Sequence, residues 1–160
     1  MKNRVLVALV VLVLAVGGWS ARGALGAGVP TSLTLLVQNN GTVYVTASGV
    51  TSVFPGHLRT GDRIFSRDRL LRAGERAGYD NEVCTVTFDN NDYCQATLVL
   101  NGQGDLEVSW LWVGRNTSAY GPAHFDGIIN GGTGAYAHAS GEFAATVLPT
   151  GTLQVRATLD

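Results

Sequence analysis

Hydrophobic positions in this chain recur every second residue for most of its length. In Leu106 to Val113, one face takes Leu106, Val108, Trp110 and Trp112 and the other Glu107, Ser109, Leu111 and Val113. That is the period of a strand with one side buried. The same alternation runs through Ser32 to Val37, Thr42 to Ala47, Glu82 to Phe88, Tyr93 to Leu100, His124 to Ile129, Ser140 to Leu148 and Leu153 to Leu159, with a short candidate at Arg63 to Ser66. Gly, Asn and Asp punctuate the runs. "QNNG" is expected to fold the first two runs into a hairpin, and "DNND" to do the same for Glu82 to Phe88 and Tyr93 to Leu100. No stretch after the N-terminal segment repeats at 3.6 residues. About eight strands with short connections predict an all-β barrel or sandwich. Val50 to Asp80 is left as the least regular part, a long connection in which function can reside.

The two cysteines test the register of the second hairpin. Cys84, Val86 and Phe88 share a face, as do Cys94, Ala96, Leu98 and Leu100. Placing Cys84 opposite Cys94 centres the turn on Asp89 and requires a loop of odd length. A two-residue turn at Asn90-Asn91 would put the cysteines on opposite faces. Both lie on the more apolar face of their strands, which favours the first register and a Cys84–Cys94 disulfide; two buried thiols are the alternative. Two Cys ten residues apart with scattered His fit no zinc pattern, so no metal is expected.

Composition changes the picture at the N-terminus. Lys2 and Arg4 precede an unbroken apolar run, Val5 to Val16, followed by the small-residue stretch "GGWSARGALGA". This is the order of a secretory signal peptide, and the run is short for a membrane span. Residues 1–27 are therefore expected to be a signal peptide and 28–160 a single domain, secreted to the cell envelope or beyond and free of the membrane after cleavage. Without that segment the chain has eight Arg, no Lys and twelve acids, a net charge of −4. Six of the Arg lie between Arg59 and Arg76, interleaved with Asp62, Asp68 and Glu75. A solvated surface fits this better than a nucleic-acid face, and no nucleic-acid partner is expected.

"NGGTGAYAHASG", residues 130–141, is glycine-rich but leads into "EFAATV", which alternates like a strand. A phosphate cradle needs a helix after its glycines, so a bulge, a sharp coil or close backbone approach is the expected use. At this point the chain resembles a family. "VGRNTSAYGPAHFDGIINGGTGAYAHASGEF" is similar to the dirigent proteins, in which GRN precedes a strand, then GGTG, an aromatic residue and Ala-x-Gly. "GDRIFSRDRLLRAGERAGYDNEVCTV" resembles both dirigent proteins and plant allene oxide cyclases, which carry a Cys at the place of Cys84. The resemblance spans roughly Gly61 to Val147. It implies an eight-stranded antiparallel β-barrel with a central cavity. The plant proteins are often trimeric, which implies a homo-oligomer. Bacterial relatives include cofactor-free cyclases, so no cofactor is implied. Ala137 and Ser140 stand where dirigent proteins have arginines, and of the dirigent acidic pair only Asp68 is present, between Arg67 and Arg69. These departures argue against the plant lignan and jasmonate reactions.

Asp68 is the leading catalytic candidate, a general acid or base at the cavity mouth if it faces inward, or a loop acid paired to an Arg if it does not. Arg115 of "GRN" is placed to hold a substrate carboxylate or phenolate, or else is a surface residue beside a turn. His124 shares a face with Asp126 if the strand is regular. Trp110, Trp112, Tyr120 and Tyr136 are candidates to line a ligand, and the tryptophans serve equally as core. Three classes of function remain open. One is a cofactor-free cyclase or isomerase for a small apolar substrate. The others are a lipocalin-like binding barrel without chemistry and a secreted structural or interaction domain with a filled interior.

Overall fold

The computed structural model describes residues 31–88, 91–113 and 123–160. Among these residues nine antiparallel strands run in chain order: β1 (Ser32–Thr46), β2 (Gly49–Thr51), β3 (Arg63–Arg72), β4 (Glu75–Val86), β5 (Asp92–Leu100), β6 (Gly104–Trp112), β7 (His124–Gly132), β8 (Gly141–Val147) and β9 (Leu153–Leu159). β1 and β3 to β9 each pair with the next, and β9 returns to β1. This closes an eight-stranded antiparallel barrel with no free edge in the ring. β2 is a short extra strand on the far end of β1. A 3-10 turn, Gly134–Tyr136, lies between β7 and β8.

Two expectations are corrected. Ser32 to Ala47 is not a hairpin: β1 runs through "QNNG" as one fifteen-residue strand. Its register against β3 shifts between Asn39 and Thr42, so the polar stretch makes a bulge, and Asn39 Nδ2 donates to Thr42 Oγ1 at 3.1 Å. Nor is Val50 to Asp80 irregular throughout. The ten residues of β3 and the first half of β4 lie within it.

The second hairpin follows the odd-loop register. Cys84 is paired with Cys94, Val86 with Asp92, and the two cysteines are bonded with Cα atoms 4.0 Å apart.

The β3–β4, β5–β6 and β7–β8 connections gather at one end of the barrel. That end is sealed by Leu33, Leu70, Leu100, Leu106, Tyr136 and Leu159, none more than 5% exposed. "GGTG" belongs to this seal. A Cβ on Gly132 would meet the Asp105 carbonyl oxygen at 2.3 Å, and Gly134, at φ 60°, brings its backbone against the Gln103 carbonyl. Only glycine permits both approaches. Towards the other end the inward residues Ile64, Trp112, Phe125 and Leu153 keep partial exposure.

Candidate functional site in the barrel lumen

Alternation along β3 and β4 decides what the lumen holds. On β3 the exposed positions include Arg63, Phe65, Arg67 and Arg69, and Ile64, Ser66, Asp68 and Leu70 turn inward. Arg67 lies over the outer face of Tyr79, its guanidinium carbon 4.3 Å from the ring centroid. On β4 the inward set is Gly78, Asp80, Glu82, Cys84 and Val86. Three carboxyl groups therefore sit on one inner wall. Asp68 is 8% exposed and Asp80 3%. Glu82 keeps partial exposure as a residue, while its carboxyl end is enclosed.

Few donors reach this cluster. Asp68 Oδ1 accepts from the Asn40 backbone N–H at 3.2 Å, and Asp80 Oδ1 accepts from the Asp68 backbone N–H at 2.9 Å. The β1 bulge carries Asn40, so the "QNNG" irregularity places a donor on Asp68. Glu82 Oε1 lies 3.0 Å from Cys84 Sγ. A disulfide sulfur has no proton, so in a hydrogen bond here the carboxylic acid is the donor.

Burial without compensating charge favours the protonated forms. Burial pushes the Asp68 carboxyl up, opposed by the Asn40 N–H. Burial and then the charge of Asp68 carry Asp80 to about 7, against the pull of the Asp68 N–H. Burial, followed by the charges of Asp80, Asp68 and Asp92, carries Glu82 to about 8. Near neutral pH the wall therefore holds a proton donor beside a carboxyl poised to accept one. Such a spread of acidities lets neighbouring carboxyls divide acid and base roles.

The wall continues into aromatic rings. Cys94, bonded to Cys84, is paired with Trp110 on β6. Trp110 stacks on Phe125, with centroids 5.6 Å apart and planes at 24°, and meets Phe143 edge-on at 5.9 Å. Trp112 is tilted against Phe125 at 5.8 Å. The Nε1 atoms of both tryptophans are buried and have no hydrogen-bond partner among the described residues.

The sequence candidates divide between the two faces. Asp68, Trp110 and Trp112 face the lumen. His124 lies on the outer surface, 56% exposed, with Nε2 3.3 Å from Asp126 Oδ1. Its Nδ1 is 3.2 Å from Thr146 Oγ1. Its ring is thus not among the lumenal groups. Tyr136 packs in the sealed end, 1% exposed, and its hydroxyl donates to Gln103 Oε1 at 2.8 Å. Arg115 and Tyr120 lie outside the described residues, as does the N-terminal segment. Asp80 and Glu82 were not singled out from sequence. The signal was their parity: they stand four and two residues before Cys84, on the face that carries the cysteine.

Glu82, Cys84 and Cys94 bring ligand-type atoms within 4.8 Å of one another. Because the two sulfurs are bonded to each other, Glu82 alone of the three keeps a donor for a metal. An open groove of about 520 Å³ on β7 to β9 is lined by Asp126, Glu142 and Arg156 among others. It lies on the outer side, apart from the carboxyl wall.

Similar barrels are known among solved structures. The chain matches a pyocyanin demethylase with 26% identity and a TM-score of 0.62, over 81% of this chain and 99% of that one. It matches a pterocarpan synthase dirigent protein at 16% identity and TM-score 0.57, over 81% and 92%. A third is AbnU, an exo-specific intermolecular Diels-Alderase, at 12% identity and TM-score 0.58, over 80% and 96%. The fold is the dirigent-type barrel. No family model matches the chain, and no curated protein matches it by sequence.

Proposed function

We propose that this dirigent-type barrel binds a small, largely apolar molecule in its lumen and guides its cyclisation or isomerisation without a cofactor. The observation that carries the reading is the inward-facing series Asp68, Asp80 and Glu82, continued by Trp110 and Phe125. A barrel that only stores an apolar ligand has no use for three enclosed carboxyls, which cost stability by their burial. A barrel that moves protons does. The substrate rests against the rings. Asp68 or Asp80 takes a proton from one of its atoms, and protonated Glu82 returns one at another. The exchange is balanced within the site, and general acid–base help of this kind is typically worth about 10²–10⁴ in rate. Holding a flexible substrate in one productive shape adds to it.

Export is part of the proposal. The N-terminal pattern of charge, apolar run and small residues supports it, and so does the Cys84–Cys94 bond, since disulfides persist in oxidising compartments.

The test is a screen of small aromatic and polyene compounds, pyocyanin among them because of the demethylase likeness. Binding is followed by tryptophan fluorescence and conversion by mass spectrometry. For a converted compound, Asp68→Asn and Glu82→Gln are expected to lower turnover at least about tenfold with affinity nearly unchanged. His124→Ala, outside the lumen, is expected to leave turnover intact. Compounds that bind and never convert would support a lipocalin-like carrier. Conversion that survives Asp68→Asn, Asp80→Asn and Glu82→Gln together would remove the carboxyl wall from the mechanism.

A further inference from the structure

Trp110 and Trp112 carry the second feature of the lumen that the protein leaves open. An indole nitrogen is a donor only and cannot accept. When a tryptophan is buried its N–H usually finds a partner. Here both Nε1 atoms are buried without one among the described residues, and Trp110 is 9% exposed. The two residues stand two apart on β6, so both rings face the lumen. The neighbouring Phe125 and Phe143 have no lone pairs and offer the hydrogens at most a weak contact with a ring face. An acceptor carried by a molecule in the lumen would supply the partner that the described residues do not.

We infer that the lumenal ligand is a planar aromatic molecule carrying a neutral hydrogen-bond acceptor, a carbonyl oxygen or ring nitrogen, which the indole N–H groups of Trp110 and Trp112 receive. The inference deepens the reading of the lumen as a ligand site and rests on it. Planarity follows from the platform: Trp110 and Phe125 are stacked, and Trp112 presents a partly exposed ring beside them. Neutrality follows from the opposite neighbour, because a ligand carboxylate or phosphate would add negative charge beside Asp68, Asp80 and Glu82. The acceptor faces the indoles, and the atom that exchanges a proton faces the carboxyls. One ligand thus spans both halves of the wall.

The experiment compares four probes of similar size on the full, disulfide-bonded chain: naphthalene, quinoline, chromone and 1-naphthoate. Binding is measured by calorimetry, and the indole Nε1–H signals are followed by ¹H–¹⁵N NMR, assigned with Trp110→Phe and Trp112→Phe. Quinoline and chromone are expected to bind about tenfold more tightly than naphthalene, the worth of one net hydrogen bond, and 1-naphthoate more weakly than either. They are expected to shift at least one of the two lumenal indole signals, where naphthalene does not. Phenylalanine keeps an aromatic face and removes the N–H, so in the variants the preference for acceptors, measured against naphthalene in the same variant, is expected to fall below about threefold. A preference that persists in the double variant overturns the inference, and so does equal binding of naphthalene and chromone. If the variants do not fold, the wild-type signals decide: no indole shift with saturating quinoline or chromone overturns it. Failure in these arms leaves the carboxyl test above untouched, because that test reads turnover and not acceptor preference.

Discussion

Replacing Glu82 by glutamine should make the barrel more stable at pH 8 and remove part of its sensitivity to pH. Glu82 is held at about 8 in the folded chain, against an ordinary 4.5. A carboxyl raised in this way keeps its proton in the folded state over a range where the unfolded chain releases it. The folded state then binds more protons, so stability falls as pH rises. Its contribution is fully present below about 4.5 and is lost as pH climbs through about 8. Each pH unit across that interval is worth about 1.36 kcal/mol, so the whole interval corresponds to as much as about 5 kcal/mol. Relaxation of the surroundings about the ionised form lowers this, and about 2–4 kcal/mol is the expected measured change. Glutamine has nearly the same shape and no charge to bury. Urea unfolding of wild type and Glu82→Gln at pH 5, 6, 7 and 8 isolates the effect, because histidines common to both cancel in the difference. Wild type should weaken steadily across the series, and the variant should weaken less and exceed wild type at pH 8. Parallel curves would refute the argument, and so would a wild type that strengthens towards pH 8.

Two further outcomes follow from the wall. Intact-mass analysis after alkylation without reduction should find no modified cysteine, and replacing Cys84 and Cys94 by serine should cost about 2–3 kcal/mol in denaturant unfolding, as expected for a short closed loop. Gly127→Ala should cost about 1–3 kcal/mol by overpacking, because the added Cβ would meet two Phe143 ring carbons and the Ser109 carbonyl oxygen. The near-ultraviolet circular dichroism of the aromatic cluster should change with it, and an unchanged spectrum and melting temperature would show that the ring can yield.

How far the fold was legible depended on what faced inward. β6 and β9 read plainly because every inward position is apolar, from Leu106 to Trp112 and from Leu153 to Leu159. β3 read as little more than "RIFS" because Ser66 and Asp68 occupy inward positions and arginines the outward ones, which hides a two-residue period in hydrophobicity. β4 was read only from Glu82 onward for the same reason, because Asp80 occupies an inward position before it. The segments that looked least like strands are thus the ones that carry the candidate chemistry. "QNNG" misled for another reason. Its composition suits a turn, but β3 pairs with β1 on both sides of the irregularity, at Leu36 to Asn39 and again at Thr42 to Val45, and holds β1 extended past it. Asp68 was legible because its arginine neighbours have the opposite parity. The idle indole nitrogens were not, since a missing partner is a property of three dimensions.

The Cys84–Cys94 bond has a consequence beyond cross-linking. A strand that slips by one residue turns every side chain over, and β4 is the strand whose inversion would matter most. Slipped by one against β5, it would turn Asp80 and Glu82 out to solvent and bring Asn81 and Val83 inside. Ionised carboxyls gain hydration in that arrangement, so at neutral pH solvation pulls towards the wrong pairing. The covalent link between directly opposed residues forbids the slip once formed. It works as a check on assembly: a chain oxidised between these two sulfurs has its acids on the inside, whatever their hydration would prefer.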